Sequence, residues 1–156
     1  MISATHFHAM IIHFPIALLL AGFLSEILGL VTKREFFKQA AVFLLFLGAL
    51  GAIVAYVSGN AAGEGIEEGP LKNPLELHEL AATVTIWLAI VTAMLRGTIL
   101  LLKYNRRWLN WAFIILFTAL SGSVAATGYF GGQLVYKHAA GVQLALPDFG
   151  NILDED

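Results

Sequence analysis

The side chains with the richest chemistry in this chain are its five histidines: His6, His8, His13, His78 and His138. Imidazole is the commonest ligand for haem iron and for several bare transition metals. His6, Met10, His13 and Ala17 are spaced four, three and four apart, so a helix puts them on one face, with His8 off it. Other reactive centres are missing. No cysteine occurs, which removes covalently attached haem c, iron–sulfur clusters held by this chain, thiol catalysis and disulfides. His78-Glu79 does not continue into a His-Glu-x-x-His zinc motif. No Glu-x-x-His pair, nucleophile elbow, P-loop or dinucleotide fingerprint is present either. Catalytic turnover has no constellation to carry it.

The segments that must position these histidines are apolar. Of 156 residues, 58% are hydrophobic and 13% charged, whereas soluble domains are about half apolar and about a quarter charged. Four runs, about 10–31, 36–58, 78–102 and 108–130, each supply the roughly 20 residues a helix needs to cross hydrocarbon. They are too long for barrel strands. The predicted fold is therefore all-α: one integral-membrane four-helix bundle over residues 1–156, with a surface tail over 134–156. The first apolar run lacks a basic region before it and ends in a basic stop, so it reads as a span and not as a cleavable signal. Asn73-Pro74 reads as the start of the third helix. Pro15 predicts a kink or a fresh start in the first. A net charge of −2 argues against nucleic acid.

Loop charges are asymmetric. Lys33, Arg34 and Lys38 surround the first turn, and Lys103, Arg106 and Arg107 the third. Glu64, Glu67, Glu68, Glu76, Glu79, Asp148, Asp154, Glu155 and Asp156 crowd the other end, against only Lys72 and Lys137. The positive-inside rule then places both basic turns in the cytoplasm and both termini outside, facing a periplasm if the membrane is a Gram-negative inner (cytoplasmic) membrane. Trp108 and Trp111 suit the inner interface, Tyr129 and Tyr136 the outer one. All five histidines fall at the outer end.

Two charges lie inside spans. Glu26 is eighteen positions below His8, and Arg96 eighteen below His78. Each is thus about 27 Å down its helix. A proton path is one reading. The favoured one is a pair that snorkels to the inner headgroups.

A bis-imidazole haem b site needs two histidines on different helices and small residues where the macrocycle meets backbone. The preferred axial pair is His13 with His78. His8 and His138 are then secondary ligands, a second haem pair or propionate partners, and Tyr136 and Lys137 are further propionate contacts. Gly48, Gly51 and Gly59, with Gly122, Gly128, Gly131 and Gly132, supply room for a porphyrin or else close helix packing.

Two stretches carry a family resemblance. One is His8-Ala9-Met10-Ile11-Ile12-His13-Phe14-Pro15-Ile16-Ala17-Leu18. The other is Thr127-Gly128-Tyr129-Phe130-Gly131-Gly132-Gln133-Leu134-Val135-Tyr136-Lys137-His138, followed by Gly141-Val142. Together they resemble a bacterial family of four-helix membrane proteins described as a domain of unknown function. The family's usual histidines would fall on His8, His13, His78 and His138. Ala9 stands where proline is typical, and Tyr129 where histidine is common. Some relatives are joined to Rieske or cytochrome c modules, so the resemblance implies respiratory electron transfer.

Three functions follow as expectations. The first is a b-type cytochrome with one or two haems, exchanging electrons with a cytochrome c, a quinone or a larger respiratory or photosynthetic complex. The second is a copper or other metal site, built on His6, His8, Met10 and His13 and helped by Glu64, Glu67 and Glu68. The third is a cofactor-free accessory subunit docking through the uncharged second span.

Overall fold

The apolar runs fold as helices because lipid cannot satisfy backbone N–H and C=O groups, and a helix satisfies them internally. The computed structural model describes residues 3–64, 68–104 and 106–142. It contains α1 (Ala4–Ile11), α2 (His13–Thr32), α3 (Glu35–Gly63), α4 (Lys72–Leu101) and α5 (Arg107–His138). α1 and α2 form one span, Ala4–Thr32. With α3, α4 and α5 they make four helices long and apolar enough to cross a membrane.

Helix ends extend beyond the apolar runs. Ser3 caps α1 by accepting from the His6 amide at 3.2 Å, so the first span starts well before Met10. Pro15 sits within the helix, and the only interruption is at Ile12, which keeps right-handed helical angles. Asn73 and Pro74 lie in the first turn of α4 rather than bounding it. α5 continues to His138 and closes on Ala139 in the left-handed region, with the Ala140 amide bonded to the Leu134 carbonyl at 3.0 Å. Leu134–His138 are therefore helix, where a surface tail was expected. The rest of that tail, 143–156, lies outside the described residues, as does Glu67.

The bundle is two packed pairs, α2 on α3 and α4 on α5, joined mainly through α3 and α4. Small residues set the closeness of the first pair. A Cβ at Gly48 would lie 2.8 Å from Leu19, and one at Gly51 would lie 3.3 Å from Pro15. Such close approach is how membrane helices associate when lipid removes the hydrophobic drive. The core is Leu19, Leu45, Ala89, Phe113, Phe117 and Leu120, with Phe23 edge-on to Phe117. Large apolar side chains such as Phe43, Leu50, Trp87 and Ile115 point outward, as a bilayer requires. The first and third spans start at the same end of the bundle as the histidines. The basic turns lie at the other end.

Candidate functional site

The inward stripe of the first two spans decides which histidines meet. The buried residues of α2 are Pro15, Leu19, Gly22, Glu26 and Gly29. Carried back one heptad from Pro15, this stripe reaches His8, not His13. On α4 the buried stripe includes Thr85, Thr92 and Ile99, and one heptad back lies His78. Two spans that run in the same direction thus each begin their inward stripe with a histidine.

His8 is half-buried, with its Nδ1 2.9 Å from Ser58 Oγ on α3. Ser58 already donates its single hydroxyl proton to the Ala55 carbonyl at 3.0 Å. Ser58 Oγ can therefore only accept from the ring, and His8 carries its proton on Nδ1. His78 is also half-buried, and its Nδ1 lies 3.2 Å from the Thr127 carbonyl on α5. A carbonyl only accepts, so His78 is protonated on Nδ1 as well. Protonated on Nδ1, both neutral rings keep the Nε2 lone pair, and the His8 ring also interacts with the Ala55 backbone of α3.

Both rings lie against glycine. A Cβ at Gly59 would be 3.0 Å from His8 Cε1, and one at Gly131 would be 3.1 Å from His78 Cε1. His8 is also within electrostatic reach of His78. Nearby, Glu79 acts electrostatically on His78, and its Oε1 would be 3.1 Å from a Cβ at Gly63.

A closed hydroxyl network lies below His78. Thr127 Oγ1 donates to the Ser123 carbonyl at 2.9 Å, so it must accept from Thr85 Oγ1 at 2.8 Å. Thr85 must in turn accept from Ser123 Oγ at 2.7 Å. This ring of bonds ties α4 to α5 one turn from the carbonyl that holds His78. Sequence reasoning passed over Ser58, Thr85, Ser123 and Thr127. The available signals were the heptad from His78 to Thr85 and the four-residue step from Thr127 to Gly131, each marking one helix face.

The remaining expected residues lie on the outside of the bundle. His13 is exposed, and its Nδ1 is bonded at 2.9 Å to the Ala9 carbonyl of its own helix turn. His6, Tyr136 and His138 are exposed, with Tyr136 91% so, and Lys137 reaches Gln133 at 3.4 Å. The expected glycines divide in three. Gly48 and Gly51 serve helix packing, Gly59 and Gly131 accept imidazole rings, and Gly122, Gly128 and Gly132 face open space. Among the described residues, no three His, Asp or Glu side chains converge as a metal-ligand group.

Four apolar spans carrying two inward imidazoles at one end define a polytopic helical membrane protein. A family model described as a predicted membrane protein, DUF2231, matches residues 4–144, and the chain belongs to that family. No curated protein and no solved structure matches it.

Proposed function

We propose that the chain is a membrane b-type cytochrome-like electron-transfer protein, with His8 and His78 as the axial ligands of one haem b. One observation carries this reading: two inward imidazoles on parallel helices at one end of the bundle, each held through Nδ1 by a neighbouring helix. A hydrogen-bonded Nδ1–H orients a ligating ring and raises the basicity of Nε2. The glycines at 59 and 131 let each ring lie against backbone. His8 takes the place given to His13 on sequence grounds, because the His13 ring is turned out of the bundle.

The ligand count favours haem over copper. A bare transition metal usually takes three or four protein ligands, whereas a bis-imidazole haem takes two. A bound haem would be held by His8 and His78 and would supply one-electron chemistry. Ser58, Thr127 and the hydroxyl network behind Thr127 hold the rings in place. The charge asymmetry of the loops supports a histidine end on the outer side, which in a bacterial inner membrane is the periplasmic face. The electron partner is then a cytochrome c, a quinone or a larger complex at that face.

The test is an optical spectrum of the purified protein. The expected result is a Soret band that shifts on dithionite reduction, and its absence overturns the reading. His8→Ala or His78→Ala should abolish the low-spin spectrum, whereas His13→Ala and His138→Ala should leave it. Loss with His13→Ala but not with His8→Ala would restore the pair favoured by sequence. A colourless protein carrying copper by elemental analysis, or no metal, points to the other two functions.

A further inference from the structure

The other end of the bundle holds a second polar group, independent of the imidazoles. Glu26 on α2 is only 6% exposed and Thr92 on α4 is fully buried. Arg96, one turn beyond Thr92 on the same face, stacks its guanidinium 4.8 Å from the Phe113 ring centroid of α5. Glu26 is therefore not snorkelling to headgroups as its depth in the sequence suggested. It is enclosed, within electrostatic reach of Arg96 and of Lys38 on α3. Yet no ion pair closes between Glu26 and Arg96 among the described residues.

Among the described residues, three buried atoms are left without a hydrogen-bond partner: Glu26 Oε2, Thr92 Oγ1 and Arg96 Nε. Their chemistry is complementary. The carboxylate accepts, the guanidinium N–H donates and the hydroxyl does both. Orphaned polar atoms at this depth are costly, and proteins satisfy them with internal water, which needs two to four polar partners. Glu26 lies within electrostatic reach of Arg96, and Arg96 follows Thr92 by one turn of α4.

We propose that Glu26, Thr92 and Arg96 form a buried, hydrated proton-binding site that loads from the basic-turn end of the bundle. Glu26 lies about 9 Å of helix before Thr32, the last residue of α2. The entry side is marked by Lys38, whose stem crosses α2 at Gly29, one turn from Glu26. A Cβ at Gly29 would lie 3.0 Å from Lys38 Cγ. The Lys38 ammonium sits outside, on Glu35 at 3.2 Å. On loading, a hydronium O–H bond breaks, the proton forms an O–H bond on the Glu26 carboxylate, and water remains. Arg96 from α4 and Lys38 from α3 are the charges that face it. The Phe113 ring of α5 covers the Arg96 guanidinium, and Phe117 packs against Phe113. The proposal does not depend on haem.

The test is infrared spectroscopy of the full-length protein in lipid nanodiscs as pH is varied. A protonated-carboxyl carbonyl band should appear, shift in D2O and vanish in Glu26→Gln. Arg96→Gln should move the midpoint at which the band is lost, and Lys103→Gln should not. Absence of the band from the wild type, its survival in Glu26→Gln, or its failure to shift in D2O overturns the proposal. If Glu26→Gln does not fold, an unmoved midpoint in Arg96→Gln overturns it alone.

Discussion

His8 donates from Nδ1 to the hydroxyl oxygen of Ser58, 2.9 Å away on α3, because Ser58 has committed its own proton to Ala55. That bond fixes both the tautomer and the plane of the ring. Ser58→Ala removes the hydroxyl acceptor, leaves the Ala55 backbone as the ring's remaining partner on α3, and gives the ring room to turn. Loss of such an outer partner typically costs about 10–100-fold in affinity for the ligated group. Haem titration of Ser58→Ala should show a weakening of that order with the spectrum still low-spin. Unchanged affinity would mean that Ser58 does not position a ligand.

Gly59 and Gly131 make a second prediction. An added methyl would press on His8 at 3.0 Å or on His78 at 3.1 Å, so each ring must move by a few tenths of an ångström. Gly131→Ala should perturb the low-spin signal while the fold survives. Gly128→Ala and Gly132→Ala, which point into open space on the same helix, should not. Electron paramagnetic resonance of the three single variants reads ligand geometry directly. Equal spectra for Gly131→Ala and Gly132→Ala would contradict the placement of His78.

Some of this was legible in one dimension. The four spans follow from hydropathy and length, because hydrocarbon thickness dictates both. Helix ends were less legible. Ala4–Met10 and Phe130–His138 are mixed in character, and their helicity comes from the Ser3 cap and the left-handed close at Ala139. Which histidines turn inward was half legible. His78 was expected near the start of its span and does turn inward, whereas His13 was preferred to His8 because it lies deeper in its span. Depth says nothing about which face turns inward. That is set by the heptad through Pro15, Gly22 and Gly29, which only packing against α3 reveals. The roles of the glycines carried no sequence signal.

Orientation can be tested without disturbing the bundle, since the native chain has no cysteine. Single cysteines at Lys137 and Arg106, both exposed and at opposite ends, give two clean probes. In sealed spheroplasts an impermeant maleimide should label Lys137→Cys and not Arg106→Cys until the membrane is opened. The reverse pattern would place the histidine end in the cytoplasm, and any periplasmic electron partner would be excluded with it.

Stability should depend on glycine position with opposite signs. A methyl at Gly48 would meet Leu19 Cγ and Cδ2 at 2.8 Å and the Leu19 backbone nitrogen at 3.2 Å. Leu19 is buried in the core, and the backbone atom cannot rotate away. Gly48→Ala should therefore cost about 1–3 kcal/mol through overpacking between α2 and α3. Gly122 is also within a helix, but a methyl there meets nothing within 4 Å. Relief of glycine's backbone entropy should then stabilise Gly122→Ala by about 0.5–1 kcal/mol. Thermal unfolding in one detergent, monitored by circular dichroism, should move the two midpoints in opposite directions. If both fall together, the close α2–α3 approach is not what distinguishes these glycines, and the seating of His8 against Gly59 on the same α3 helix would have to be reconsidered with it.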